Sequence, residues 1–203
     1  MHPTKTILII LEGTFSSGKS TLTNMIFDSF GHQNISRVKE HTSLQALYKA
    51  VRYEKKSALD YFKNEIVTAQ DEGKGLIVFD RLHISAVVRS LISEDDFFSL
   101  EKWMKTSFSP QLLHLHFAQV TCLERIKATS AHRPKGWRKF LKQIWIKRRC
   151  MPSEYFQQDQ TRIAHWVSKS TLDVTSIDTT ANNYHEIMEN LFNDINSVQE
   201  PLP

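Results

Sequence analysis

The chain has 203 residues, of which 40% are hydrophobic and 24% are charged, a composition that indicates one globular domain with an ample core. Its formal net charge of +4 suits an anionic ligand but does not by itself indicate a nucleic-acid-binding protein. No apolar run is long enough to span a membrane, and the two cysteines, Cys122 and Cys150, lack the spacing of metal ligands. These features favour a cytoplasmic protein with reduced thiols.

The first predicted element is a short buried strand from Thr6 to Leu11, made of apolar and β-branched residues. It leads into E-G-T-F-S-S-G-K-S-T at positions 12–21, and a helix is predicted from Leu22 to Phe30. The pattern G-x-x-x-x-G-K-[ST] between a strand and a helix is typical of a loop whose backbone N–H groups bind phosphates. The expected ligand-binding residues of this loop are Gly13, Thr14, Phe15, Ser16, Ser17, Gly18, Lys19, Ser20 and Thr21.

Two side chains of this loop have specific predicted roles. Lys19 is a mobile cation for the β- and γ-phosphates of a nucleotide, and Ser20 offers a hydroxyl to Mg²⁺. The alternative is a chance glycine-rich turn in front of a helix. The complete motif and the elements on both sides of it argue against that alternative.

The rest of the chain alternates predicted strands with predicted helices, without repeats or changes of composition. This alternation predicts one α/β domain over residues 1–203, with a five-stranded parallel sheet between two layers of helices. The further strands are expected at 35–38, 76–79, 112–117 and 172–177. The further helical segments are expected at 43–72 (in two pieces), 84–91, from 93 to the Ser-Pro pair at 109–110, 120–128, 153–168 and 184–195.

Charged residues follow the second and third predicted strands. In a parallel sheet, ligands bind beyond the carboxyl ends of the strands, which is also where the predicted phosphate loop lies. We therefore expect Asp80 near Mg²⁺ and Arg81 on a phosphate or another charged group of a substrate. Glu40 is expected to accept a proton or a hydrogen bond from a substrate hydroxyl. The alternatives are a surface ion pair at Asp80 and Arg81 and an exposed loop acid at Glu40.

The segment from Arg133 to Arg149 is strongly basic and contains no acidic residue. We predict that it belongs to a helical lid at about 131–150, with Arg133 or Arg138 reaching a transferring phosphoryl group. A solvated basic helix and a nucleic-acid-binding face are the other interpretations, and nucleic acid is the least favoured. His114 and His116 are two apart in a strand without an apparent third metal ligand, so we interpret them as structural histidines of the sheet with satisfied hydrogen bonds.

With these residues placed, the chain resembles the thymidylate kinase and deoxynucleoside kinase group of P-loop enzymes over most of its length. The resemblance rests on L-E-G at 11–13 before G-K-S-T at 18–21, on F-D-R at 79–81 with Ser85, and on the segments 110–126 and 174–180. The chain departs from the group's pattern at three positions. Phe15 stands where thymidylate kinases carry aspartate, His41 where both families usually carry proline, and Leu82 where an aromatic residue is usual.

The resemblance implies a kinase that uses ATP and Mg²⁺ and whose acceptor is a nucleoside or a nucleoside monophosphate. It also implies that Arg125 and Thr180 bind the nucleotide cofactor, with Thr180 in the loop near the adenine. Two other hypotheses stay open: a phosphotransferase for an antibiotic or a sugar, and a nucleotide-dependent switch or nucleic-acid-stimulated ATPase. A guanine-reading N-K-x-D motif is absent from the sequence, which argues against a GTPase switch. A membrane is not an expected partner, and a homodimer is left open.

Overall fold

The computed structural model describes residues 5–133 and 135–199. The strands of this part of the chain are β1 (Ile7–Glu12), β2 (Ile35–Val38), β3 (Leu76–Asp80), β4 (Ser109–His116) and β5 (Asp173–Asp178). The α-helices are α1 (Lys19–Phe30), α2 (Leu47–Arg52), α3 (Ala58–Asp71), α4 (His83–Val88), α5 (Glu94–Ser107), α6 (Cys122–His132), α7 (Lys135–Arg148), α8 (Pro152–Lys169) and α9 (Tyr184–Gln199). A π-helical turn at His41–Ala46 precedes α2, and short 3₁₀ turns lie at His32–Asn34 and Gln119–Thr121.

The five strands form one parallel sheet in the order β2-β3-β1-β4-β5. The first strand in the chain, β1, therefore lies at the centre, where Leu11 aligns with Asp80 of β3 and with Leu113 of β4. The segments that follow β1 and β3 emerge side by side at the carboxyl edge of the sheet. The prediction of a three-layer α/β fold with five parallel strands is confirmed.

Side chains of β1 alternate between two cores, one on each face of the sheet, because successive residues of a strand point to opposite faces. Leu8 and Ile10 pack in a cluster with residues of α3, α4, α5 and the C-terminal half of α8. Ile9 and Leu11 pack on the other face, in a cluster with residues of α1 and α9. Every residue of β1 is buried, as the continuous apolar run predicts for a central parallel strand.

A third, smaller cluster joins the predicted lid to the phosphate loop, and we call it the lid cluster. Trp137 and Ile144 of α7 are buried in it, whereas Arg138, Lys139, Lys142 and Lys147 of the same helix are exposed. The other members are Phe117, Cys122, Ile126 and Phe156, with Phe15, Phe140, Leu141, Cys150 and Tyr155 packed against them. The predicted lid at 131–150 thus comprises the end of α6, the whole of α7 and the residues that follow it. Pro134 lies outside the described residues.

The structure places Pro110 inside a strand, whereas the sequence analysis uses it to end the preceding helix. Proline has no N–H for a strand ladder and is confined to unpaired positions. Ser109 donates its backbone N–H to Thr6 O (3.0 Å), so the imide nitrogen of Pro110 faces the other side of β4. There β5 pairs with β4 only from Gln111 onward. The ladder therefore loses no hydrogen bond at Pro110, and β4 begins three residues earlier than the sequence predicts.

The described residues include no helix that is long and apolar enough to cross a membrane. They also include no group of three or more His, Cys, Asp and Glu side chains arranged to hold a metal ion. His114 is buried in β4, and burial together with nearby His116 lowers its pKa to about 4, so its ring is neutral at physiological pH. Its Nε2 has no hydrogen-bond partner among the described residues, contrary to the expectation of a fully paired structural histidine.

Candidate active site

The phosphate loop between β1 and α1 needs glycine at two positions because other groups approach the backbone closely. A Cβ on Gly13 would lie 2.4 Å from the backbone oxygen of Leu115 in β4. Gly18, the N-cap of α1, has a φ of 89°, and a Cβ there would meet the ring of Tyr184. A left-handed backbone and a blocked side-chain position both favour glycine. The motif's spacing thus reflects contacts with β4 and α9 as well as the loop's own curvature.

Lys19 folds back onto its own loop. Its Nζ donates hydrogen bonds to the backbone oxygens of Gly13 (2.8 Å) and Thr14 (2.9 Å). Burial, together with nearby Arg81, lowers the pKa of Lys19 to about 7, although Asp80, Glu40 and Glu12 act in the opposite direction. The ammonium group is thus held where the local environment is short of negative charge. An anion bound in the loop would supply that charge.

Neighbouring elements hold the rest of the loop. The guanidinium of Arg125 on α6 donates to the backbone oxygens of Ser16 and Thr179 and to Oδ1 of Asn182 (3.0 Å). Ser16 is held at a φ of 62°, a left-handed conformation that is uncommon for serine. On the other side of the loop, the hydroxyl of Thr14 donates to Asp159 of α8 (2.9 Å), and this carboxylate is buried. The loop is therefore fixed before any ligand binds.

The end of β3 delivers two charged side chains to the same place. Asp80 is buried, and its Oδ1 has no hydrogen-bond partner in the part of the chain that the structure describes. Arg81 is 1% exposed and has a φ of 71°, which turns the chain sharply at the end of the strand. Its Nη1 donates to Oγ of Ser85 (3.0 Å), whereas its Nη2 finds no partner among the described residues. A buried polar atom without a partner is costly, which indicates that ligand atoms complete this site.

Glu40 pairs with two arginines at the start of the π-helical turn. One carboxylate oxygen lies 3.2 Å from Nε of Arg81 and 3.5 Å from Nη2 of Arg89. Burial would raise the pKa of Glu40, but Arg81, Lys19 and Arg89 outweigh it and hold this pKa below its ordinary value. Burial and the charge of Arg81 lower the pKa of Arg89, and Glu40 opposes that change. Glu40 is therefore ionised at physiological pH and able to accept hydrogen bonds.

Two adjacent cavities open at this edge of the sheet. The first, which we call the phosphate cavity, has a volume of about 350 Å³. The second, which we call the apolar pocket, has a volume of about 400 Å³. Phe15 and Glu40 line both. The phosphate cavity is further lined by residues 16–21, Asp80, Arg81, Arg125, Ala128, Thr129, His132, Arg133, Asn182 and Tyr184. The apolar pocket is further lined by Leu44, Gln45, Tyr48, Arg89, Leu91, Phe140 and Tyr155.

The residues of the phosphate cavity fit a magnesium ion bound together with phosphates. The unpartnered Oδ1 of Asp80 is a hard oxygen donor, and the exposed hydroxyl of Ser20 lines the same cavity. Mg²⁺ typically takes one or two protein oxygens and fills its other positions with water and phosphate oxygens. A cage of three or more acidic side chains is therefore not required here.

Most of the predicted site residues come together in the structure. Lys19, Ser20, Glu40, Asp80, Arg81, Arg125 and Arg133 all line the phosphate cavity. Four predicted residues do not: Gly13 and Thr14 belong to the phosphate loop without lining this cavity, and Arg138 and Thr180 lie elsewhere. Arg138 is exposed on α7, and Thr180 bonds Asp178 and the backbone N–H of Ala118. Of the two lid arginines considered, Arg133 is thus the one that faces the site.

Three residues of the site, Arg89, Asp159 and Tyr184, were not predicted from the sequence. A signal for Arg89 was present, because it follows Ser85 by four residues, as on one face of a helix. Nothing local marks Asp159, which meets the loop from a helix 145 residues further along the chain. Tyr184 begins α9, and only the three-dimensional structure shows that it lies against Gly18.

Known structures share this fold across nearly the whole chain. The YorR protein from Bacillus subtilis, in complex with phosphorylated GDP, is 17% identical over 93% of this chain and 95% of its own, with a TM-score of 0.67. Polyphosphate kinase 2 from Arthrobacter aurescens TC1 is 16% identical over 100% of this chain and 72% of its own, with a TM-score of 0.66. Deoxyadenosine kinase from M. mycoides, with dCMP and a flexible dCDP bound, is 16% identical over 94% of this chain and 99% of its own, with a TM-score of 0.52. No protein-family model and no curated protein sequence matches the chain. The chain therefore has the fold of the P-loop kinases.

Proposed function

We propose that this protein is an ATP-dependent kinase that transfers the γ-phosphoryl group of ATP to a nucleoside or a nucleoside monophosphate. The observation that carries the proposal is that one ionised carboxylate, Glu40, lines both the phosphate cavity and the apolar pocket. A donor phosphate in the first cavity and an acceptor in the second would meet at this side chain. The neighbours support the proposal because YorR and the deoxyadenosine kinase were solved with nucleotides bound.

On the donor side, the backbone N–H groups of the loop and Lys19 would bind the triphosphate. Lys19 would exchange its bonds to Gly13 and Thr14 for phosphate oxygens, which restores its positive charge. Ser20 and Asp80 would hold Mg²⁺, which neutralises charge on the β- and γ-phosphates when it is bound. Arg133, at the start of the lid segment, is placed to add a further positive charge. Positioning and charge stabilisation of this kind account for most of the catalysis of phosphoryl transfer.

On the acceptor side, the apolar pocket is lined mostly by hydrophobic and aromatic side chains and by one amide. Tyr48, Phe140 and Tyr155 present rings to it, and Gln45 offers both a donor and an acceptor. Aromatic rings and an amide are suited to a nucleobase, which has π faces and a polar edge. Arg89 and Glu40 lie between this enclosure and the phosphate loop, where the acceptor oxygen has to be.

The geometry favours a nucleoside hydroxyl as the acceptor oxygen. A hydroxyl must lose its proton as the new bond forms, and the carboxylate of Glu40 is ionised and able to take that proton. The second candidate is a nucleoside monophosphate, and the unpartnered Nη2 of Arg81 beside Arg89 favours it, because arginine pairs well with phosphate. The two candidates differ in what they require of Glu40.

The test is a screen with labelled ATP against nucleosides, nucleoside monophosphates, aminoglycosides and sugars, followed by Glu40→Gln with the best acceptor. With a nucleoside, we expect turnover to fall roughly a hundred- to ten-thousandfold, because the general base is lost. With a monophosphate, we expect a loss of less than about tenfold, because the attacking oxygen is already ionised. Glu54→Gln is the matched control, since Glu54 is partly exposed, bonds Lys56 and does not line either cavity.

The same screen tests the rival functions. ATP turnover that rises with DNA or RNA but with no small acceptor would refute the kinase proposal. Because polyphosphate kinase 2 shares the fold, inorganic polyphosphate is included as a second donor. Transfer from polyphosphate in preference to ATP would refute the choice of donor while leaving the acceptor site as proposed.

A further inference from the structure

Glu12 is a fully buried carboxylate that the proposed chemistry does not use. It is the last residue of β1 and directly precedes the phosphate loop. Its Oε1 accepts hydrogen bonds from the backbone N–H groups of Leu82 (2.8 Å) and Ser85 (3.1 Å), and its Oε2 accepts one from the hydroxyl of Ser85. The first N–H groups of a helix have no partner within the helix, so Glu12 caps α4 from another element. This network fixes the start of α4 against the central strand.

Ser85 extends the network to Arg81. Its hydroxyl donates to Glu12 and at the same time accepts from Nη1 of Arg81 (3.0 Å). Two hydrogen bonds in series thus connect a buried carboxylate to a buried guanidinium. Because Ser85 is 1% exposed and α4 is capped by the same carboxylate, its hydroxyl has little freedom to turn elsewhere.

The position of Arg81 explains why such support matters. Its φ of 71° places it outside both β3 and α4. Its backbone N–H donates one hydrogen bond to Leu11 O, but the regular hydrogen bonding of the strand and of the helix does not fix the orientation of its side chain. Of its side-chain contacts, Glu40 and the ring of Phe15 lie in the cavities, where ligands will compete for them. The bond to Ser85 is on the protein side. With Nη1 fixed there and Nε against Glu40, Nη2 has neither a hydrogen bond nor an ion pair among the described residues.

We propose that Glu12 and Ser85 are positioning residues that hold the guanidinium of Arg81 with one nitrogen presented to the acceptor. The phosphate loop and the acceptor arginine would then be set relative to each other by a single buried carboxylate. This inference rests on the proposed function, because it takes Arg81 to bind the acceptor. Glu12 and Ser85 themselves touch neither substrate.

The test compares Ser85→Ala with Ser36→Ala. Ser85→Ala removes the link to Arg81 but leaves both backbone N–H groups bonded to Glu12, so we expect the fold to survive. Ser36 is an equally buried serine whose hydroxyl bonds Ala69 O and Glu72, away from both cavities. We expect kcat/KM for the acceptor to fall roughly ten- to a hundredfold in Ser85→Ala, the usual effect of losing a hydrogen bond to a charged group. The KM for ATP and acceptor-independent ATP hydrolysis should change less than about twofold.

Glu12→Gln adds a second test, because glutamine retains an acceptor for the two backbone N–H groups but places an amide where Ser85 donates. We expect the same selective loss of acceptor use. Equal losses for acceptor and ATP, or a loss in Ser85→Ala no larger than in Ser36→Ala, would overturn the inference.

A measurement without turnover separates this inference from the proposed function. The side-chain Nε–H signal of Arg81 in an ¹⁵N spectrum, assigned with Arg81→Lys, reports how the guanidinium is held. We expect it to shift and to exchange faster with solvent in Ser85→Ala and to be unaffected in Ser36→Ala. An unchanged signal would overturn the inference. Failure of wild-type protein to phosphorylate any acceptor would overturn the proposed function while this comparison still reports on Arg81.

Discussion

Phe15 connects the phosphate loop to the lid segment, and its removal should loosen the lid. Its ring packs against Trp137 (centroids 5.8 Å apart) and Phe140 (5.1 Å) of α7 and against Phe156 (5.5 Å) of α8. The guanidinium carbon of Arg81 lies 5.0 Å from the centre of the same ring. Phe15→Ala would delete these contacts while leaving the backbone of the phosphate motif intact.

The size of the effect follows from the contacts with α7. An aromatic pair contributes about 0.5–1.5 kcal/mol beyond its buried area, and two of the three ring pairs involve the lid segment. Their loss should favour opening of α7 by about 1–3 kcal/mol, which raises the open population roughly 5- to 150-fold. The third pair, with Phe156, contributes to the general stability of the domain rather than to the lid.

Limited proteolysis with trypsin measures this opening, because α7 carries several exposed trypsin sites (Arg138, Lys139, Lys142 and Lys147). Cleavage of a transiently open segment follows its open population when closing is fast. We expect cleavage within α7 to accelerate at least fivefold in Phe15→Ala. Phe98→Ala is the control, because Phe98 lies on α5 and packs edge-on against Phe97. An α7 cleavage rate in Phe15→Ala that matches Phe98→Ala at equal global stability would refute the reasoning.

Three further outcomes are expected. Arg81→Ala should lower kcat/KM for the acceptor at least about a hundredfold while acceptor-independent ATP hydrolysis persists, and equal loss of both activities would contradict its role. Gly13→Ala should lower the free energy of unfolding by about 1–3 kcal/mol, because the new Cβ would overlap the backbone of Leu115. Gly136→Ala on α7 should instead raise the free energy of unfolding by up to about 1 kcal/mol, because the new Cβ enters open space and alanine favours a helix. Reversed signs in urea titrations would show that the loop contacts are misjudged. Glu101 of α5 is buried, lies 2.9 Å from Nε2 of His83 and accepts hydrogen bonds from Ser170 and Thr171, so Glu101→Gln should cost about 1–3 kcal/mol at pH 7 and less at pH 4. Burial raises the pKa of Glu101, but its hydrogen-bond partners lower it overall, so its stabilisation is present above pH 4.5 and is lost as the pH falls through the folded-state pKa. A cost that is independent of pH would count against an ionised Glu101.

The fold was predictable because local signals and topology agree. The central strand is apolar throughout, the phosphate motif follows it directly, and strands alternate with helices, which permits few arrangements. Boundaries failed where tertiary context overrides a local signal. Pro110 is a helix breaker in the sequence, yet it sits in β4 because its nitrogen faces a position where no neighbouring strand is paired.

The candidate site was predictable where residues lie directly at strand ends. Glu40 and Arg81 were expected together on that ground, and they pair in the structure. Contacts made by residues distant in the chain were not predictable. Asp159 reaches Thr14 from α8, and the choice of Arg133 over Arg138 depends on which turn of the lid segment meets the cavity. The spacing of residues in a basic segment predicts which side chains share a face of the helix. It does not predict which part of the fold each face packs against.

The π-helical turn at His41–Ala46 affects how this chain should be compared with others. A π turn holds one residue more than the α-helical turn it replaces, and such turns, which are rare, frequently occur at functional sites. Leu44 and Gln45 lie within it and line the apolar pocket. Loss of one residue from this turn would convert it to α-helix and rotate the preceding side chains by about 100° relative to α2. A single-residue insertion or deletion here would therefore reshape the wall of the apolar pocket, the proposed acceptor site, without altering the phosphate loop.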